Sequence, residues 1–187
     1  MRQHSVRQGA TYEGRRVSRS EYLSLPDDGF KYDMIDGVPH VAPSHSADHA
    51  QYQVSFAVKL RFYLKKHPRG RVFTELDVFL RDGGDVVRPD VCFVLSENLD
   101  IIATHIHGTP DLVCELLSDS TESSDLSIMA ERYLACGVRE YWIVDPRTYS
   151  IQLWRNDGRV RWRKESAEIL QSDFLPGLRL TRELIFQ

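Results

Sequence analysis

Two acidic residues stand inside short apolar segments where a buried strand would ordinarily carry aliphatic side chains. Asp90 belongs to residues 86–91 and Glu115 to residues 112–118. Both segments are rich in β-branched and other apolar residues, which predicts two buried strands. A lone carboxylate in a strand core is strongly unfavourable unless it is paired, hydrogen-bonded or bound to a cation. The two acids are therefore the first candidates for chemistry in this chain.

The two carboxylates converge on one point if their strands are neighbours. Facing carboxylates either share a proton or bind a hard divalent ion such as Mg²⁺ or Mn²⁺. Alternatively, each acid lies at a strand end facing water, or pairs with Arg88. The residue types alone leave a metal site and a structural arrangement both open.

Composition limits the kinds of partner. The chain has 187 residues, 42% hydrophobic and 27% charged, with a net charge of -3, as in an ordinary soluble globular domain. The surface as a whole is therefore not a phosphate-binding field. No apolar run reaches the length of a membrane span, so we expect no membrane association. The chain has an odd number of cysteines, and all three, Cys92, Cys114 and Cys136, lie in apolar segments. This predicts buried free thiols in a reducing cytoplasm.

The elements that must position the acids follow from local signals. Residues 1–16 lack periodicity and are predicted to be a flexible arm, and residues 17–187 a single domain. Ser18 and Glu21 have the spacing of a capping box that starts a short helix. Asp36-Gly37 is typical of a tight hairpin turn. Further hairpins are predicted around residues 81–85 and 156–158, and residues 174–178 are expected to pack onto the domain.

Two longer helices are predicted to pack on the sheet. The first spans residues 47–66, and the six residues expected on its inner face are Ala50, Val54, Ala57, Val58, Leu60 and Leu64. The second is capped by Ser124 or Asp125 and ends at Gly137. Its expected inner face consists of Leu126, Met129, Tyr133 and Cys136.

In five segments the chain resembles the Uma family of restriction-endonuclease-like proteins. They run in order through nearly all of the chain after Val17: residues 32–37, 87–91, 114–118, 133–146 and 175–178. The resemblance implies the PD-(D/E)XK nuclease fold, an α/β (α+β mixed) architecture in which helices flank a central mixed sheet, here with extra β-hairpins. It also implies a metal-dependent endonuclease acting on the phosphodiester bonds of DNA.

The resemblance assigns the metal ligands. Asp90 matches the family's aspartate after proline, Glu115 its second acid, and the main-chain carbonyl of Leu116 a further ligand of Mg²⁺ or Mn²⁺. A metal ion at such a site neutralises the scissile phosphate and lowers the pKa of a bound water. Asp33 stands where the family has glutamate, and His49 where it often has histidine, so both are candidate helpers in catalysis.

The family's catalytic lysine is missing at both of its expected places. Leu117 lies two residues after Glu115, and Met129 takes the place of the lysine on the following helix. Arg132 on that helix is the candidate substitute, with Arg61 as a second choice. Loss of one preorganised charge-stabilising group commonly costs about 3 to 4 kcal/mol of transition-state stabilisation. We therefore keep two hypotheses: an endonuclease of weakened activity, and a degenerate domain that binds nucleic acid or a protein without cutting.

A symmetric homodimer is also expected, because a nuclease that cuts two strands usually needs two active sites. Trp154 and Trp162 in the last hairpin are the candidate interface, and the alternative is that they cover the sheet.

Overall fold

The computed structural model describes residues 9–42, 46–80, 84–118, 123–158 and 161–187. Several predicted features lie outside the described residues: the first eight residues of the arm, the turn at 81–83, and the side chains of both candidate helix caps at 124 and 125. The helices are α1 (Arg19–Leu23), α2 (Ala47–Lys66), α3 (Ser123–Ala135) and α4 (Arg182–Ile185), with a 3-10 helix at Ser96–Ile101. The strands are β1 (Tyr32–Ile35), β2 (Val38–Val41), β3 (Gly70–Thr74), β4 (Val78–Phe79), β5 (Val86–Val87), β6 (Val91–Leu95), β7 (Ile106–His107), β8 (Leu112–Leu116), β9 (Glu140–Asp145), β10 (Ser150–Asn156), β11 (Trp162–Ser166), β12 (Ile169–Leu170) and β13 (Leu180–Thr181).

A six-stranded mixed sheet, in the order β11-β10-β9-β8-β6-β3, is the centre of the protein. Its pair β8 and β9 is parallel and its other pairs are antiparallel. A parallel pair needs a crossover connection, and α3 provides it. A second sheet, in the order β2-β1-β5-β4-β7, and the small pair β12-β13 complete the architecture. The predicted central mixed sheet flanked by helices, with extra hairpins, is confirmed.

The central sheet separates two apolar cores. On β6, Val91, Phe93 and Leu95 pack towards α2, whereas Cys92 and Val94 pack towards α3 and the second sheet. Every one of these side chains is buried, so the strand is apolar on both faces. The predicted inner face of α3 and the docking of residues 174–178 are confirmed by their places in these two cores.

The predicted bounds of α2 are confirmed, but its predicted inner face is wrong in part. Val54 and Val58 are 61% and 43% exposed. The buried face instead carries two polar residues, His49 and Gln53, in line with Phe56, Leu60 and Leu64. A hydrophobicity criterion misses the two polar residues, which are buried because they form hydrogen bonds at the end of β6.

The predicted capping box of α1 and the predicted turn between β1 and β2 are both confirmed. The Glu21 amide donates to Ser18 Oγ at 3.3 Å, and Glu21 Oε2 accepts from the Ser18 amide at 2.7 Å, which closes the capping box. Asp36 and Gly37 have φ of 51° and 75°, as a two-residue turn between β1 and β2 requires.

The described part of the predicted arm, residues 9–16, contacts the β1–β2 hairpin. The Gly14 amide donates to the Pro39 carbonyl at 3.0 Å, and the rings of Tyr12 and Tyr32 lie 5.8 Å apart. The division of the chain into an arm and a domain stays a prediction.

The two hairpin tryptophans are part of the core on the α3 side. Trp154 is 8% exposed, and the Nε1 atom of Trp162 donates to the Ala130 carbonyl at 2.9 Å. They therefore cover the sheet, and the expectation that they form a dimer interface is wrong.

The three cysteines are free thiols, with Cys92 and Cys114 buried and Cys136 half-buried. No helix among the described residues is both long and apolar enough to cross a membrane.

Candidate active site: an acidic cavity at the strand ends

The pairing of β6 with β8 brings Asp90 and Glu115 together. Val91 lies opposite Cys114, so Asp90 is one residue before this pair and Glu115 one residue after it. The Asp90 amide donates to Glu115 Oε2 at 3.2 Å, and the Leu116 amide donates to Asp90 Oδ2 at 2.7 Å. The two acids are therefore neighbours, as adjacent strands would require.

The first turns of α2 support this strand end. The Nε2 atom of His49 lies 2.9 Å from the Leu116 carbonyl oxygen and 3.1 Å from Asp90 Oδ2. The Nε2 atom of Gln53 donates to the Asp90 carbonyl at 2.8 Å. Burial lowers the pKa of His49, but the hydrogen bond and charge of Asp90 outweigh burial, so this pKa is raised. His49 and Gln53 thus hold both the side chain and the main chain of Asp90.

Glu115 is held from the other side of the sheet by α3. The hydroxyl of Tyr133, a fully buried residue, donates to Glu115 Oε1 at 2.9 Å. Burial, and then the negative charge of Asp90, raise the pKa of Glu115 well above its ordinary value. Burial and the neighbouring Asp90 therefore both disfavour the charged form of Glu115.

A third acid faces the same space. Asp33 on β1 accepts a hydrogen bond from the Arg88 amide at 3.0 Å, and burial raises its pKa to about 6. Asp33, Asp90 and Glu115 all line one cavity of about 510 Å³. Leu116 lines it too, so the structure gathers four of the sequence-predicted site residues around a single cavity, and His49 contacts two of them.

Two cations, Lys31 and Arg88, also line this cavity, and neither was predicted from the sequence as a catalytic residue. The Nζ atom of Lys31 lies 2.5 Å from Glu75 Oε2, and the Lys31 side chain is 58% exposed. Arg88 is more constrained, because its guanidinium lies 2.6 Å from Asp77 Oδ1 and its side chain is only 19% exposed. A sequence signal for Lys31 existed: it precedes Asp33 by two residues, and such residues share one face of an extended strand.

The residues considered as the missing cation lie elsewhere. Met129 does line the cavity, where the resemblance expects lysine. Arg132 is not among the lining residues, and it bonds instead to Asp36 at 2.5 Å and to Asp85 at 3.6 Å. Arg61 is exposed on α2.

The available donors fit a hard divalent ion. No three His, Cys, Asp or Glu side chains within the described ranges are grouped closely enough to hold a metal by themselves. Asp90, Glu115 and the Leu116 carbonyl supply only oxygen atoms. Mg²⁺ is commonly bound through one or two carboxylates and keeps several waters. The donor set is therefore suited to Mg²⁺ or Mn²⁺ with water completing the coordination.

Comparisons with known proteins identify a family and a similar fold. The model of the family Uma2, described as "Putative restriction endonuclease", matches residues 19–183. A crystal structure described as "a putative nuclease belonging to DUF820", from Anabaena variabilis, has a similar fold with a TM-score of 0.79. It is 20% identical in sequence, and the similarity covers 91% of this chain and 97% of that chain. A comparison with curated proteins finds no match.

Proposed function

The chain belongs to the Uma2 family, and on this premise we propose that it is a metal-dependent endonuclease that hydrolyses phosphodiester bonds in DNA. The family description and the fold support a nuclease-like function. The observation that carries the finer proposal is the pair Asp90 and Glu115, two neighbouring acids at strand ends that open on one cavity. A structural role alone does not require two adjacent carboxylates that raise each other's free energy.

Asp90, Glu115 and the Leu116 carbonyl would hold Mg²⁺ or Mn²⁺. When bound, the ion would neutralise charge on the scissile phosphate and lower the pKa of a coordinated water. Burial and then the charge of Asp90 raise the pKa of Glu115, and a cation there would offset the repulsion from Asp90. His49 is a positioning residue in this proposal, because it orients Asp90 and the Leu116 main chain.

Asp33 is the residue that we assign as general base. A base is most effective when its pKa lies near the working pH, and that of Asp33 is raised to about 6. Asp33 lines the same cavity as Asp90 and Glu115, where it would accept a proton from an attacking water.

Lys31 is the cation that we assign to the developing negative charge. It lines the cavity with a largely exposed side chain, and it pairs with Glu75, which lines the same cavity. Met129 on the opposing helix cannot supply this charge. Lys31, immediately before β1, would then replace the lysine that the family places on α3, and Arg132 would keep its structural ion pairs with Asp36 and Asp85.

Calorimetric titration of Mn²⁺, with a plasmid-cleavage assay on the same samples, tests the metal site. The wild type is expected to bind Mn²⁺ and to cut, and Asp90→Asn to lose at least roughly tenfold in affinity together with cleavage. Asp100→Asn is the matched control, because Asp100 is exposed on the 3-10 helix. A wild type that binds no Mn²⁺ would overturn the metal site.

A separate experiment tests Lys31. Lys31→Ala is expected to lower the cleavage rate by roughly a hundredfold or more, and Met129→Lys in that background to restore much of it. Lys59→Ala is the control, because Lys59 bonds to Ser55 on α2 and does not line the cavity. Full activity in Lys31→Ala would refute the assignment.

A non-cleaving module that binds nucleic acid or a protein partner is the second candidate. The observation that favours it is Met129, which lines the cavity in place of a cationic residue. Metal binding without any cleavage by the wild type, unchanged in Met129→Lys, would support this function over the enzyme.

A further inference from the structure

The outer face of α2 carries an apolar row that no described part of the chain covers. Ala50, Val54, Val58 and Phe62 follow one another at intervals of four residues, and all four are exposed. Val54 and Phe62 are 61% and 62% exposed. Rows at this spacing are the ridges by which helices pack against each other. Three of its members, Ala50, Val54 and Val58, are among the residues that sequence periodicity assigns to the core.

The charges on α2 are separated along its length. Its acidic residue, Asp48, lies in the first turn, and Lys65 and Lys66 lie in the last turn. Asp48 and Lys66 are 18 residues apart, or about five helical turns, so they lie on the same side of the helix. An antiparallel second copy of α2 therefore meets opposite charge at both ends, whereas a parallel copy meets like charge.

The sizes of the side chains also match in the antiparallel arrangement. A two-fold axis midway between Val54 and Val58 places these two residues opposite each other in the two copies. The same axis places Phe62 of each copy opposite Ala50 of the other, so that a large ring meets a small side chain. Asp48 then falls about 3 Å along the axis from Lys66 of the second copy.

We propose that the outer face of α2 is the interface of a homodimer, in which α2 packs antiparallel against α2 of a second copy. Val54, Val58 and Phe62 form its apolar centre, and Asp48 and Lys66 form two symmetric charge pairs at its rim. The row faces away from the sheet, whereas Met129 and Tyr133 of the cavity lie on α3, on the other side of the sheet. The proposed interface does not depend on the proposed nuclease activity.

Sedimentation equilibrium of the full chain tests the interface. The wild type is expected to have twice the chain mass of 21.6 kDa, and Val58→Asp to have the monomer mass. Leu184→Asp is the matched control, because Leu184 is 42% exposed on α4, outside the row. Circular dichroism of each variant shows whether the fold is retained. A monomeric wild type, or a dimer that survives Val58→Asp, would overturn the proposal.

Charge reversal tests the antiparallel orientation. Asp48→Lys and Lys66→Asp are each expected to weaken the dimer by roughly tenfold, because each breaks two rim pairs. The double variant is expected to recover most of the wild-type affinity, since it re-forms both pairs with reversed sign. Failure of the double variant to recover would exclude the antiparallel arrangement. A monomeric wild type that loses DNA binding in Val58→Asp would instead assign the row to nucleic acid.

Discussion

Replacing Asp33 by asparagine is expected to stabilise the metal-free protein at neutral pH. Burial raises the pKa of Asp33 from 3.8 to about 6, against the hydrogen bond from the Arg88 amide. The folded protein therefore keeps a proton on Asp33 that the unfolded chain has released in this pH range. The stabilisation from this bound proton is full below pH 3.8, falls as the pH rises towards about 6, and is lost at higher pH.

The size of the effect follows from this shift. Each tenfold change in proton affinity corresponds to about 1.4 kcal/mol, so burial of the charged form costs the folded state about 3 kcal/mol. Asparagine has no charge to bury, and its side-chain oxygen can still accept from the Arg88 amide. The gain is an upper limit, because the new amide group needs a partner of its own.

Urea unfolding in the presence of a chelator measures this gain. The wild type and Asp33→Asn are compared from about pH 4 to about pH 8, with the exposed Asp100→Asn as control. The stability of Asp33→Asn is expected to exceed that of the wild type increasingly as the pH rises, up to about 3 kcal/mol. Asp100→Asn is expected to follow the wild type. A difference that is the same at both ends of the pH range would refute the reasoning, because it would mean that burial does not disfavour the charged form of Asp33.

Three further perturbations probe the surroundings of the site. Tyr133→Phe removes the hydroxyl that donates to Glu115 and is expected to weaken Mn²⁺ binding roughly tenfold in calorimetry; unchanged affinity would mean that this bond does not orient the ligand. His49→Ala is expected to destabilise the protein by about 2 kcal/mol, and by more in acid than in alkaline solution. The pKa of His49 is raised in the folded protein, so its protonation stabilises the fold below the ordinary pKa of histidine, and this contribution is lost as the pH rises through the raised pKa. A stability difference between wild type and His49→Ala that widens with pH in urea unfolding would contradict this sign. Gly70→Ala would place a methyl group 2.1 Å from the Val94 carbonyl oxygen, so a loss of more than about 3 kcal/mol is expected in thermal unfolding, and a mild effect would show that β3 can shift.

Local signals made much of the fold predictable. The Ser18–Glu21 capping box and the Asp36-Gly37 turn depend on residues adjacent in sequence, and both form as predicted. The bounds of α2 were predicted from the same kind of pattern, but its inner face was not. Val54 and Val58 resemble core residues in type, but they face outwards because the buried face also includes His49 and Gln53, which bond to Asp90.

The site was partly predictable for a similar reason. A carboxylate inside an apolar strand is conspicuous, so Asp90 and Glu115 could be identified before their strands were known to be neighbours. Whether Lys31 lines the cavity, and whether Arg132 is engaged in ion pairs away from it, depend on where β1 and α3 lie relative to the cavity. Residue type does not reveal these positions. Polar groups that act through long-range contacts are what single-sequence reasoning misses.

One part of the donor set has no side chain. The position of the Leu116 carbonyl is set by the register of β8 against β6 and β9 and by its hydrogen bond with His49 Nε2. Replacing Leu116 by another apolar residue leaves this oxygen where it is, whereas a one-residue slip of the strand would remove it while changing no residue identity. Apolar replacements that fit the core are therefore expected to be tolerated at this position, although its carbonyl is a proposed metal ligand. Inheritance of the site across divergent sequences then depends on preserving a strand alignment as much as on preserving Asp90 and Glu115.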